Sequence, residues 1–99
     1  MGNLHYGGHQ FALDDRVLAH LQIVITQKLR RSEAFFINWD DPIGEGRQSI
    51  WIDNGMPIWV EFVGKPPAIN RVWLETLIIS AGGTTGLHLT EEPVEDPAA

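Results

Sequence analysis

Four histidines, His5, His9, His20 and His88, are the side chains of this sequence best suited to ligate a metal or move a proton near neutral pH. The His5–His9 spacing would align two ligands on one face of a helix, but Gly7-Gly8 lies between them. Two glycines supply the positive φ angles of a primed two-residue turn, so the segment predicts a hairpin in which Tyr6 faces His9 and Leu4 faces Phe11. His5 and His9 then point to opposite sides, and no metal site is expected. Gly82-Gly83-Thr84-Thr85-Gly86 has the glycine content of a phosphate loop, yet it follows a helical pattern rather than opening one, which makes it a helix stop and connector. Gly64-Lys65-Pro66 places proline where a magnesium-binding Ser or Thr would stand. The acidic run from Asp40 to Gly46 lacks the alternating order of a calcium loop and reads as a solvated turn. Ser32, Ser49 and Ser80 have no Gly-x-Ser-x-Gly elbow, and with 0 Cys there is no thiolate nucleophile or zinc-thiolate site. No catalytic residue, metal or cofactor is assigned, and the expectation is a protein that is not an enzyme.

These residues must be positioned by a chain of 99 residues, which is long enough for one domain. The net charge of -6 is concentrated at the end, where Glu91, Glu92, Glu95 and Asp96 stand among prolines; without those four, residues 1–90 carry -2. Residues 1–90 are therefore read as the domain and 91–99 as an acidic, mobile tail. The near balance of residues 1–90 argues against generic nucleic-acid binding. No secretory signal, myristoylation pattern or membrane-length apolar run is legible, so a cytoplasmic protein without a membrane partner is expected.

Asp14 or Asp15 can cap a helix running to about Arg31, with Val17, Leu18, Leu21, Val24, Ile25 and Leu29 on one side at helical period. Residues 34–39, 48–52 and 57–63 are β-rich runs separated by turn-forming stretches and predict a three-stranded antiparallel meander. Pro66 and Pro67 can open a second helix over 67–81, stopped by Gly82-Gly83, before a last short strand over 87–90. The expected fold class is α+β, a single domain with a mainly antiparallel sheet and two helices in the order ββαβββαβ.

Apolar residues exceed what one core requires. With a two-residue turn at Asn54-Gly55, Trp51, Ile58, Val60 and Phe62 share one sheet face while Ile50, Ile52, Trp59, Glu61 and Val63 share the other, so both faces are apolar. A three-residue loop would flip the parity and put Trp51 with Trp59. Such a sheet is covered on both sides or meets another chain. Ile23 projects away from the apolar stripe of the first helix, among Arg16, His20, Gln27 and Arg30, and Val72 and Ile79 fall opposite the stripe of the second. Candidate partner-binding residues are Ile23, Arg30, Ile50, Ile52, Trp59, Val72 and Ile79. Arg30 and Arg31 also sit where cations complement a helix C-terminus, with Glu33 or the acidic loop as ion-pair partners.

The segment from Asp14 to Ile25, Lys28-Leu29-Arg30-Arg31-Ser32-Glu33, residues 46–52, residues 66–74 and Gly86-Leu87 resemble a family of small actinobacterial and actinophage proteins over nearly the whole chain. Many of its members carry the label ATP-dependent DNA ligase. A ligase of that kind forms a lysine adenylate on a Lys-x-Asp-Gly motif, whereas Lys28 stands in Lys-Leu-Arg-Arg and Lys65 in Lys-Pro-Pro-Ala. The resemblance implies no established activity, and its phage members imply a small protein that binds a host or virion protein in the host cytoplasm.

The leading expectation is a non-enzymatic protein-interaction module whose partner is another protein or a second copy of itself. The alternative is an accessory nucleic-acid-binding protein linked to DNA metabolism, using Lys28, Arg30, Arg31, Arg47, Lys65 and Arg71 for phosphates and an exposed Trp for stacking; it requires those cations to cluster.

Overall fold

A computed structural model describes residues 1–41 and 44–94. The elements are β1 (Gly2–Tyr6), β2 (His9–Leu13), α1 (Asp15–Arg30), β3 (Phe35–Asp40), β4 (Arg47–Ile52), β5 (Ile58–Glu61), α2 (Arg71–Ala81) and β6 (Leu87–His88), in the expected order ββαβββαβ. Part of the acidic turn, Pro42-Ile43, and the tail from Glu95 onward lie outside the described residues.

Gly7 and Gly8 adopt φ of 58° and 80°, and the hairpin they close pairs Tyr6 with His9 and Leu4 with Phe11 as read from the sequence. Asp14 caps α1 by accepting the Arg16 N–H at 2.9 Å. Leu18, Leu21, Val24 and Ile25 form its buried face. Arg31 closes the helix, and the next residue, Ser32, has a φ of 58° that lets the Glu33 N–H reach back to the Lys28 carbonyl at 2.9 Å.

The expected meander does not form. The strands make two three-stranded sheets, β2-β1-β5 and β4-β3-β6, with β3 and β6 parallel and all other pairs antiparallel. β5 leaves β4 because the chain between them is not a two-residue turn. The Asp53 carboxylate accepts the Gly55 N–H at 2.7 Å, the Tyr6 hydroxyl accepts the Asp53 N–H at 2.9 Å, and the Asn54 amide donates to the Leu29 carbonyl at 3.2 Å. These bonds tie the connection to β1 and to the end of α1, and β5 then pairs with β1, Tyr6 opposite Ile58 and Leu4 opposite Val60.

The second helix starts at Arg71 rather than near Pro67, because Asn70 is its cap and accepts the Trp73 N–H at 3.1 Å. Trp73, Leu77 and Ala81 face the core, which they share with Leu4 and Tyr6 of one sheet and Phe35, Ile37, Ile52 and Leu87 of the other. After Gly82 and Gly83, Gly86 turns the chain at φ 87° and lies so close to β3 that a Cβ would stand 2.5 Å from the Phe36 carbonyl oxygen.

Candidate functional site

The change of sheet rearranges the two apolar faces. Ile50 and Ile52 belong with Ile58 and Val60 on the inner side, and Trp51 and Trp59 both point outward, the parity of the longer-loop alternative. Trp59 is 61% exposed, Met56 49%, Trp51 50% and Phe36 41%. Met56, in the β4–β5 connection, lies over the β1–β2 turn, its sulfur 3.6 Å from where a Cβ on Gly7 would stand. On one side it lines a depression of about 460 Å³ with Trp59 and Pro57; on the other it lines one of about 260 Å³ with Trp51 and Ile50. Phe36 continues the run, its ring edge-on to Trp51 at 5.0 Å between centroids, directly across the β3–β4 pair. Four large apolar side chains from two sheets and one loop thus follow one another over the outer surface, and an exposed apolar run of this kind is unusual for a surface that meets only water.

Polar groups flank the run at its Trp59 end. His5 stacks on Trp59 with centroids 4.7 Å apart, and its Nε2 lies 2.5 Å from Glu61 Oε1. The three side chains share the outer face of the β1–β5 pair and hold the indole in one orientation. The sequence gives Met56 and Phe36 no role, and it sets Trp51 opposite Trp59 for a two-residue turn at Asn54-Gly55 but beside it for a three-residue loop.

The other candidate residues are distributed. Ile52 is wholly buried in the core and offers nothing to a partner, and Ile50 is half-buried beside it. Val72 and Ile79 are exposed on α2, 37% and 70%, two turns apart on one stripe. Ile23 is half-buried rather than free: it lines a depression with Phe62, Pro67 and Ile69, because the segment after β5 folds back across α1. Arg30 lines a different cleft, between α1 and β5. Glu33 pairs with Lys28 at 3.7 Å, not with either arginine.

His20, expected on the open side of α1, is wholly buried. Its Nδ1 lies 2.6 Å from the Arg16 carbonyl, its Nε2 accepts the Asn70 N–H at 2.9 Å, and its ring packs at 4.5 Å on Trp73. With Nδ1 protonated and Nε2 bare, both bonds are satisfied at once, so this imidazole is a structural link between α1 and the cap of α2. Beside it Arg16 donates from Nε and Nη2 to the two oxygens of Glu92, at 2.7 and 2.6 Å, and the Asn70 amide donates to Glu92 at 3.0 Å. The guanidinium first, and the amide second, hold the Glu92 carboxyl down at about 2. Asp15 is lowered too, by the N–H groups of Gly64 and Val63 that it accepts.

The six cations of the nucleic-acid alternative do not converge. Lys28, Arg30 and Arg31 stand at the end of α1, whereas Lys65 follows Gly64, which is bonded to Asp15 at the start of that helix, roughly 24 Å away at 1.5 Å per residue. Arg47 opens β4 opposite Asp40, and Arg71 opens α2. Among the described residues no group of three or more His, Cys, Asp or Glu could hold a metal ion. No helix of the described residues is long and apolar enough to cross a membrane.

The fold and the surface define an α+β domain of two small sheets and two helices whose outer side carries a run of exposed aromatic and methionine side chains. The chain belongs to the family described as a domain of unknown function, DUF7882, whose model matches residues 1–92. No curated protein and no solved structure matches it.

Proposed function

We propose that this domain is a non-catalytic protein-interaction module that binds a partner protein through the surface formed by Trp59, Met56, Trp51 and Phe36. The observation that carries this reading is the exposure of those four side chains, from 41% to 61%, on one continuous path across two sheets. Burying such aromatic and methionine groups against a partner removes apolar area from water at about 25 cal/mol per Å², and aromatic residues and Met are enriched at the buried centre of protein interfaces. The stacked His5 and the Glu61 carboxylate supply a polar rim.

A photo-reactive amino acid placed at position 56 in the living cell tests the proposal. A discrete protein adduct is expected there and not from the same probe at Glu75 on α2. Indistinguishable adducts from both positions, or none from position 56, would count against it.

A further inference from the structure

The departure of β5 from its expected partner leaves a second feature, on the inner side of the strand whose outer side carries Trp59. β5 is an edge strand: β1 pairs along one side, and among the described residues no other segment bonds the backbone groups of residues 58–61 along the other. A lone strand edge is a template for another strand. Beside it runs a cleft of about 380 Å³, with Ile25 and Leu29 of α1 on one wall and Ile58 and Val60 of β5 on the other. Ile58 and Val60 point inward, opposite Tyr6 and Leu4, yet remain half-buried because α1 packs over β1 and leaves them short of cover. The Asn54–Leu29 bond closes the cleft at the end of α1, and Arg30 stands at that end. No ion pair or hydrogen bond engages the Arg30 guanidinium among the described residues.

An open strand edge, an apolar trough between that edge and a helix, and one unengaged guanidinium at the closed end form the arrangement that receives an extended peptide by strand addition, with main-chain bonds for affinity and alternate side chains for selectivity. We infer that the cleft between α1 and β5 binds an extended segment of a partner protein that pairs with β5, buries apolar side chains at alternate positions against Ile25, Leu29, Ile58 and Val60, and sets a carboxylate against Arg30. The charge is what selects this occupant: the cleft carries one cation, and a guanidinium favours a carboxylate, with two parallel hydrogen bonds, over any neutral group.

Selection of a random peptide library displayed on phage against the folded domain, and in parallel against Arg30→Glu, tests the inference. Expected from the first selection are peptides alternating apolar and polar residues with an acidic residue near one end. A synthetic copy of an enriched peptide should shift the amide resonances of residues 58–61 and 22–30, and should bind Arg30→Glu about 10-fold or more weakly, the size of effect a lost charge-assisted pair gives. Arg30→Glu should itself select basic residues at that place. The same peptides should bind Trp51→Ser undiminished, which separates this cleft from the aromatic surface. Failure to enrich any sequence, enriched peptides that shift other amides, or one sequence class from both selections would overturn the inference. So would sedimentation showing a dimer that protects the amides of residues 58–61, which would give the edge to a second copy.

Discussion

The Tyr6 hydroxyl accepts the backbone N–H of Asp53 at 2.9 Å, and through this bond the end of β4 is anchored to β1. The anchor explains why a chain whose pattern reads as a meander delivers β5 to the other sheet. Tyr6→Phe keeps the ring in the core but leaves that N–H without its acceptor, and a loss of about 1–2 kcal/mol is expected in urea unfolding. An unchanged midpoint would mean that the turn is held by Asp53 and Asn54 alone.

His20→Leu should cost about 1–3 kcal/mol, because the buried Asn70 N–H loses its acceptor although the volume is roughly kept. Asn70→Ala should cost about 1 kcal/mol by removing the cap of α2. The double variant should cost less than the sum, since both act on the same helix start. Full additivity in denaturant melts would contradict the link.

Glu92 gives the stability a pH dependence with a definite sign. Its carboxyl is lowered from 4.5 to about 2 in the folded chain, so between those values the unfolded chain binds more protons than the folded one. The contribution is therefore complete above the upper value and disappears as pH falls toward the lower. Asp15, also lowered, works in the same direction. Glu92→Gln should flatten the fall of the thermal midpoint on acidification, and an acid limb identical to that of the unaltered protein would refute the Arg16–Glu92 assignment. The pair is partly exposed, 40% and 29% at the side chains, so added salt should also weaken it.

At two backbone positions the expected signs are opposite. Gly86→Ala would force a Cβ to within 2.5 Å of the Phe36 carbonyl oxygen at φ 87°, and should destabilise by at least about 2 kcal/mol. Ser32→Gly relieves a left-handed residue at the end of α1 and should stabilise by up to about 1 kcal/mol. Calorimetric midpoints that move together would show that the backbone angles are not what governs these sites.

Much of the frame is legible in the residues. The glycine turn, the Asp14 cap, the period of α1 and the order of elements follow from local preferences, and each is present. What local preference does not carry is partner choice between strands. Asp53-Asn54-Gly55 looks like a hairpin turn, and only the distant Tyr6 and Leu29 make it something else. The error propagates to the site: with β5 moved, Ile52 becomes core, Trp51 joins Trp59 outside, and Met56 bridges them. His20 departs from the pattern through another distant contact, since the side of α1 it occupies is covered by Asn70 and Trp73, about fifty positions along the chain. Val72 and Ile79 are exposed on the side of α2 away from Trp73 and Leu77, where the helical period alone places them, whereas Trp59 is parted from Ile50 and Ile52, the residues expected on its face.

For the proposed partner surface of Trp59, Met56, Trp51 and Phe36, the decisive measurement follows stability and partner contact on one variant. Trp59→Ser should leave the unfolding free energy within about 0.5 kcal/mol of the original, as for a surface position, while abolishing the adduct formed by the photo-reactive residue at position 56. A variant that keeps the adduct unchanged would show that Trp59 does not meet the partner, and one that loses several kcal/mol of stability would show that it serves the core.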